Sequence, residues 1–263
     1  MRNRPSEAGR VAGGAAHPEE DRRAAVVSTE QPVLILQNLT ADGPGFLATW
    51  LAQQGIAFQA FDAQAGQAYP ASVDGYRALA LLGGEMSAND DLPSLRGAER
   101  LILQAMRADL PVIGHCLGGQ LMARALGVRV VTSPAPEIGW QSIRVVDSDV
   151  ARAWFGGAGE HVVYQWHRES FELPPGADLL AGSVACPHQA FAIGPHLALQ
   201  FHVELDRHKL GRWSASIDPT YLQLQREHGS VQGGAVMRAQ AARALPMQQR
   251  LADRLYRRWL GPS

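Results

Sequence analysis

Hydrophobic residues follow two different repeats in the first half of the chain. Four short runs are predominantly apolar, at residues 33–36, 56–61, 76–82 and 111–113, and each is predicted to be a strand. The unbroken run at 33–36 is typical of a strand buried on both faces of a sheet. Between the runs, apolar residues recur every three or four positions, which predicts amphipathic helices over 46–51, 95–108 and 117–126. Strands and helices that alternate in this way predict an α/β fold with a mostly parallel sheet.

The second half of the chain carries more strands and then becomes helical. Extended segments are predicted near residues 143–146, 162–166, 177–181, 190–193 and 197–201. Their close spacing favours an antiparallel extension of the sheet. From about residue 218 the pattern is helical, with an apolar stripe at Met247, Leu251, Leu255 and Trp259.

These patterns together predict the fold class and the division of the chain. The fold class is α/β, a three-layer sandwich with a mostly parallel, flavodoxin-like sheet, an antiparallel extension and a C-terminal helical segment. Residues 1–31 lack periodicity and are expected to form a disordered tail. A catalytic domain is expected over 32–213, with a helical extension over 214–263 packed on it.

Composition and charge narrow the classes of function. The 263 residues are 46% hydrophobic and 19% charged, with a formal net charge of −1. A nearly neutral chain has no general attraction to nucleic acid or to anionic membranes, and neither is expected as a partner. Lys209 is the only lysine. Cys116 and Cys186 are too few for a disulfide framework, and the chain has no signal-peptide core, so a cytoplasmic location is expected.

The segment around Cys116 carries the strongest chemical signal. Cys116 follows the predicted strand at 111–113 directly and precedes the predicted helix at 117–126, and glycines stand two residues before and two residues after it. A nucleophile on a sharp strand-to-helix turn needs small residues at those two positions. The free N–H groups and positive dipole of the helix N-terminus favour a thiolate there. Cys116 is therefore the predicted nucleophile.

A base and an orienting acid are predicted near residue 200. His202 and Glu204 are two residues apart, and residues at i and i+2 of a strand point to the same face. A thiol nucleophile needs a base, and the base needs a partner that orients it. Cys116, His202 and Glu204 supply these three groups.

The motifs that contain these residues resemble the class I, triad-type glutamine amidotransferases. The resemblance begins with Gly114-His-Cys-Leu-Gly-Gly-Gln120 and Gln200-Phe-His-Val-Glu204. It extends to the motifs at residues 83–87, 166–167, 171–177 and 186–191, and it covers roughly residues 33–205. The later motifs are most similar to those of free-standing members related to the glutaminase part of GMP synthase.

This resemblance implies a mechanism for the chain. Cys116 would attack the side-chain amide of glutamine, His202 would transfer the protons, and Glu204 would orient His202. The resemblance further implies that the backbone N–H groups of Gly84 and Leu117 stabilise the oxyanion. Gln120 would help to hold the glutamine. No cofactor is expected, and because the cysteines show no paired spacing, no metal site is expected either.

The chain departs from the family pattern after the Trp166-His167 pair. Many relatives have Gly and then Asp there, and that acid contacts the substrate α-amino group. This chain has Arg168 and Glu169. Either Glu169 performs that role with a longer reach, or the substrate is not plain glutamine, or the two residues are a surface pair.

Four other functions stay open. A γ-glutamyl hydrolase would use the same three residues on a γ-glutamyl amine or peptide. A cysteine α/β-hydrolase is disfavoured because its acid normally precedes the histidine on a separate loop. A zinc deaminase lacks its second cysteine motif here, and a non-catalytic regulatory module would not need the three intact residues. Because no phosphate-binding glycine loop is present, any ammonia produced would need a partner synthetase or ligase to accept it.

Overall fold

One mixed sheet organises the residues 31–261 that the computed structural model describes. In the described chain the sheet has nine strands, in the order β2-β1-β3-β4-β9-β8-β7-β5-β6. The strands are β1 Val33–Gln37, β2 Phe58–Asp62, β3 Ala78–Leu81, β4 Val112–His115, β5 Val130–Val145, β6 Gly159–Phe171, β7 Asp178–Gly182, β8 Ala190–Ile193 and β9 His196–Leu199. The predicted tail, residues 1–31, lies outside the described residues except for Gln31.

The pairing divides the sheet into two parts. Strands β2, β1, β3, β4 and β9 pair in parallel, and β9, β8, β7, β5 and β6 pair antiparallel. In the parallel part, Gly114 of β4 pairs with Leu81 of β3 and with Ala198 of β9. The carboxyl ends of these three strands therefore lie side by side. The loops that follow them meet at one edge of the sheet, where ligands bind in open α/β folds.

Helices cover both faces of the sheet. They are α1 Phe46–Gln53, α2 Pro93–Arg107, α3 Leu117–Ala125, α4 Asp149–Phe155, α5 Arg207–Trp213, α6 Pro219–Glu227 and α7 Gly234–Leu260. Val33 and Ile35 of β1 pack with residues of α1, α4 and α7, whereas Leu34 and Leu36 pack with α2 and α3. This alternation follows from the two-residue period of a strand and gives the three layers of the predicted α/β sandwich.

The C-terminal helix differs from its sequence prediction at one position. Leu251, Leu255 and Trp259 are buried against the sheet, as the apolar stripe predicts. Met247, however, is 47% exposed, and Gln248 takes the buried position with 1% exposure. The helix turns by about 100° per residue, so residues four apart are offset by about 40° around its axis. Over several such steps the stripe leaves the face that contacts the sheet, and Met247 lies outside the core. The boundary between residues 32–213 and 214–263 stays a prediction.

Helices α4 and α5 have no clear signal in the sequence. Each has only seven residues, too few for a clear helical period. Each begins at a capping side chain, since Ser148 accepts from the Ala151 N–H and Asp206 accepts from the Lys209 N–H. None of the helices in the described part of the chain combines the length and hydrophobicity that a membrane crossing requires.

Candidate functional site

Cys116 lies on the turn between β4 and α3, at the carboxyl edge of the sheet. Its φ is 51°, a left-handed conformation that is uncommon for a residue with a side chain and is often found at functional sites. Its N–H donates to the Leu199 carbonyl of β9 at 2.8 Å, which fixes the turn against the neighbouring strand. The residue is 6% exposed.

Two glycines allow this turn because there is no room for a side chain. A Cβ on Gly114 would lie 2.5 Å from the Gly118 carbonyl, and a Cβ on Gly118 would lie 2.5 Å from the Leu81 carbonyl oxygen. Neither glycine has a positive φ, so close packing rather than backbone conformation excludes other residues. The sequence expectation of a crowded, glycine-flanked turn agrees with this geometry.

His202 and Glu204 lie next to this turn, but not on a strand. Strand β9 ends at Leu199, and the chain turns over the next residues, with the Leu205 N–H donating to the His202 carbonyl at 3.3 Å. The strand alternation expected from the sequence is therefore wrong. The turn nevertheless brings His202 Nδ1 to 2.7 Å from Glu204 Oε1. Both residues are buried, at 3% and 0% exposure.

Electrostatics favour a charged His202–Glu204 pair. Burial alone would lower the pKa of His202, but the Glu204 and Cys116 charges outweigh it and hold this pKa well above its ordinary value. Burial alone would raise the pKa of Glu204, but the positive charges of His202 and Lys209 outweigh it and hold this pKa well below its ordinary value. His202 Nε2 is buried without a conventional hydrogen-bond partner in the described chain, and the Cys116 thiol lies beside the ring. Such an imidazole can accept and return a thiol proton.

The two predicted oxyanion donors are neighbours in the structure. Leu117 is the first residue of α3, so its N–H has no acceptor within the helix. A Cβ on Gly84 would lie 2.8 Å from Leu117 Cδ2, so the loop after β3 packs on the start of α3. Asn38 anchors that loop, because its Nδ2 donates to the carbonyls of Leu82 at 3.0 Å and Gly83 at 3.2 Å. Sequence reasoning missed Asn38.

The side-chain amide of Gln120 is bonded mainly within the protein. It is 4% exposed, and its Nε2 donates to the Glu169 carbonyl at 3.0 Å and to Gln200 Oε1 at 3.3 Å. Both amide hydrogens are therefore used within the protein, and only Oε1 is left for a ligand. Gln200 Nε2 in turn lies 3.6 Å from Cys116 Sγ. Gln200 belongs to the same sequence motif as His202, but that motif alone assigns it no role.

Glu169 lies at the end of β6, beside the loop that carries Gly84. Its Oε1 accepts from the Ser87 hydroxyl at 3.0 Å, and its side chain is half-buried. The carbonyl of Trp166, on the same strand, lies 3.7 Å from Cys116 Sγ. Glu169 therefore lies on the strand that also contacts Cys116, whereas Arg168 is exposed.

A second group of Cys, His and Glu is formed by β5, β6 and the loop between β7 and β8. Glu137, His167 and Cys186 place one potential metal ligand each within 4.8 Å of one another. The Glu137 carboxylate already accepts from Gln189 at 2.6 Å and from Ser183 at 2.9 Å. Burial, together with Glu137, raises the pKa of the Cys186 thiol to about 12, so this thiol is neutral and a poor nucleophile or metal ligand. These contacts fit a hydrogen-bonded brace for β6.

Two contacts across the fold hold the His202 loop in place, and the sequence predicted neither. Gln248 of α7 donates to the His202 carbonyl at 3.0 Å and accepts from the Tyr164 N–H at 2.6 Å. Trp213 of α5 packs edge-on to the His202 ring, with 4.8 Å between centroids. The only signal for Gln248 was a polar residue beside an apolar stripe, which is more often a surface feature.

Known proteins similar to this chain agree with the geometry. The family model for glutamine amidotransferase class-I matches residues 51–212. The glutamine amidotransferase-like protein YfeJ of Salmonella typhimurium is 28% identical over 82% of this chain and 90% of its own length. One of the subunits of the glutamine-hydrolyzing GMP synthase of Thermoplasma acidophilum is 30% identical over 59% of this chain and 79% of its own length.

A solved structure extends the similarity to most of the fold. The crystal structure of a glutamine amidotransferase from Methylobacillus flagellatus has 34% identity and a TM-score of 0.83, and the match covers 88% of this chain and 94% of that one. The family match spans more than half of the chain and includes Cys116, His202 and Glu204. The chain therefore belongs to the class I glutamine amidotransferase family.

Proposed function

We propose that this protein is a glutamine amidohydrolase that uses Cys116, His202 and Glu204 to release ammonia from glutamine for a partner synthetase. The observation that carries the proposal is the 2.7 Å hydrogen bond between His202 Nδ1 and Glu204 Oε1, beside a thiol held on a strand-to-helix turn. Membership in the class I glutamine amidotransferase family supports the same reaction.

The first half of the reaction forms a thioester. Cys116 Sγ bonds to the side-chain amide carbon of glutamine while His202 takes the thiol proton. His202 then gives that proton to the amide nitrogen, the C–N bond breaks, and ammonia leaves. Glu204 keeps His202 in the tautomer that receives the proton at Nε2 and stabilises the imidazolium. In the second half, water attacks the thioester with His202 as base, and glutamate and the free thiol are formed.

Backbone and side-chain groups around Cys116 hold the substrate in this proposal. The N–H groups of Leu117 and Gly84 stabilise the negative oxygen of each tetrahedral intermediate, because donors fixed in advance need no reorganisation. The Glu169 carboxylate binds the substrate α-amino group, and its position beside Ser87 supports that assignment. Gln120 contributes through Oε1 and by holding the end of β6.

A synthetase partner would use the ammonia. Ammonia released into water near neutral pH is mostly protonated and no longer nucleophilic, so a producer gains from contact with its consumer. The relative from Thermoplasma acidophilum is named as one of the subunits of a glutamine-hydrolyzing GMP synthase, which supports an assembly of this kind. We expect slow hydrolysis of glutamine by the isolated chain and faster hydrolysis in the presence of the partner.

Labelling with an electrophilic glutamine analogue tests the nucleophile. Mass spectrometry is expected to find the label on Cys116 in the wild type and in Cys186→Ala, the matched control. The Cys116→Ala variant is expected to remain unlabelled and to release no glutamate. Labelling of Cys186, or glutamate release by Cys116→Ala, would contradict the proposal.

A substrate panel separates the proposal from the γ-glutamyl hydrolase alternative. The purified chain is assayed alone on glutamine and on γ-glutamyl amines and peptides. If one of the larger substrates reaches a kcat/KM of about 10⁴–10⁶ M⁻¹s⁻¹, which is ordinary for enzymes, while glutamine is turned over poorly, the hydrolase function replaces the glutaminase function.

A further inference from the structure

The only lysine of the chain is buried next to the candidate active site. Lys209 lies in the first turn of α5 and is 3% exposed, which is rare for a lysine. Its Nζ is 3.5 Å from Glu204 Oε1, the same oxygen that receives His202 Nδ1 at 2.7 Å. The Trp213 ring covers the ammonium group at 5.7 Å.

The surrounding backbone is shaped to admit this side chain. Gly45 precedes α1 with φ = 56°, and a Cβ there would lie 3.2 Å from Lys209 Cε and collide with the Glu204 carbonyl. The first N–H of α1, on Phe46, donates to that same carbonyl at 2.8 Å. The start of α1 therefore holds the Glu204 backbone and leaves a channel for the lysine stem.

Within the described part of the chain, Lys209 is the one permanent positive charge that faces Glu204. The other titratable groups around this carboxylate are His202 from the same loop, His115 from β4 and Tyr256 from α7. Burial lowers the pKa of His115, so its imidazole is neutral at physiological pH, and burial with Glu204 raises the pKa of Tyr256, so its hydroxyl stays neutral. These two groups therefore cannot balance the carboxylate.

Lys209 changes the net charge of the buried site. In the reactive state of the proposed site, Cys116 is a thiolate, His202 an imidazolium and Glu204 a carboxylate, which leaves one uncompensated negative charge. A buried, uncompensated charge is costly in an environment of low dielectric. Lys209 brings the sum to zero.

We propose that Lys209 is a positioning residue that balances Glu204 and thereby lowers the pH at which Cys116 becomes a thiolate and His202 becomes a free base. The inference rests on the proposed function, since it concerns the same three residues. Glu204 then orients His202 with one oxygen held between two cations. Loss of the lysine charge makes the protons of the Cys116 thiol and the His202 imidazolium harder to remove. Both limbs of the pH profile of glutamine hydrolysis therefore move to higher pH.

Alkylation of Cys116 by iodoacetamide measures this shift without requiring turnover of glutamine. Its rate is followed from about pH 5 to about pH 10 by mass spectrometry, because only the thiolate reacts. Lys209→Met keeps the length of the side chain and removes its charge, and the labelling midpoint is expected to rise by about one unit. Lys209→Arg keeps the charge, so its labelling midpoint is expected to lie close to that of the wild type. Cys186 in the same samples reports whether the fold has loosened.

The outcomes distinguish the two proposals. A Lys209→Met midpoint equal to that of the wild type would overturn the role of Lys209, even if the labelling rate changed. If the wild-type midpoint instead lies near 8.5, the ordinary value of a thiol, and glutamine is not hydrolysed, the proposed function itself fails.

Thermal unfolding gives a second test that stays informative if Lys209→Met folds poorly. Lys209→Met leaves Glu204 without its cation, and Glu204→Gln leaves Lys209 without its anion. The double variant leaves neither charge unpaired, so it is expected to unfold at a higher temperature than either single variant. A double variant that is destabilised by the sum of the single effects would overturn the pairing.

Discussion

Replacing Glu204 with glutamine removes one negative charge from the candidate site and keeps nearly the same shape. Glu204 is fully buried and bonds to His202 at 2.7 Å, so the charge acts without screening by water. With glutamine at this position, the burial that by itself lowers the pKa of His202 is no longer outweighed by a carboxylate. The imidazolium that forms when Cys116 loses its proton is then poorly stabilised.

The expected loss of turnover follows from the charge interaction. Opposite unit charges about 4 Å apart gain about 4 kcal/mol at an effective dielectric constant of about 20. That energy corresponds to about 10³-fold in rate, and the comparable change in serine proteases lowers kcat by about 10⁴. We therefore expect Glu204→Gln to lower kcat for glutamine by about 10²–10⁴, with little change in KM.

The assay measures glutamate release at a temperature where the variant is folded. Folding must be verified by circular dichroism, because glutamine at 204 leaves Lys209 buried without its carboxylate, which costs about 3–5 kcal/mol. Glu227→Gln, an exposed carboxylate at the end of α6, is the matched control and is expected to retain full activity. A folded Glu204→Gln protein with a kcat within threefold of the wild type would refute the charge argument.

Three further substitutions test other parts of the structure. Gly118→Ala places a Cβ 2.5 Å from a β3 carbonyl and should lower the free energy of unfolding by about 1–3 kcal/mol in urea titrations, whereas Gly211→Ala, which has open space, should not. Gln248→Met leaves the buried Tyr164 N–H unpaired and removes one of the two donors to the His202 carbonyl, so it should cost about 1–3 kcal/mol, against a near-neutral Gln249→Met on the same helix; equal effects would contradict the bracing role. Glu169→Gln should raise KM for glutamine about tenfold and spare substrates without an α-amine, since one charged hydrogen bond is lost; equal losses on both would reject the assignment.

Much of the fold could be predicted because burial leaves a local pattern. A strand covered on both faces must be apolar throughout, so β1, β3 and β4 are visible as runs, and α2 and α3 are visible from their helical spacing. Helices α4 and α5 were missed because seven residues give less than two periods. Their capping side chains, Ser148 and Asp206, were the only local signal.

The candidate site was predicted in its composition but not in its geometry. The glycines at 114 and 118 pointed to Cys116 because a tight turn excludes side chains from both positions. The proximity of His202 and Glu204 was predicted for the wrong reason, since a turn rather than a strand brings them together. For Glu169 the sequence offered three interpretations, and the structure adds its contact with Ser87.

Most of the strands and helices and the thiol-bearing turn are encoded locally, because the spacing of apolar residues and glycines acts over a few neighbouring positions. The tertiary structure decided which distant groups meet: β9 inserts beside β4, α5 carries Lys209 against Glu204, and α7 brings Gln248 to the His202 loop. Such contacts depend on strand order, register and packing between segments far apart in the chain. A polar residue that will be buried by such packing looks in the sequence like any residue exposed to water.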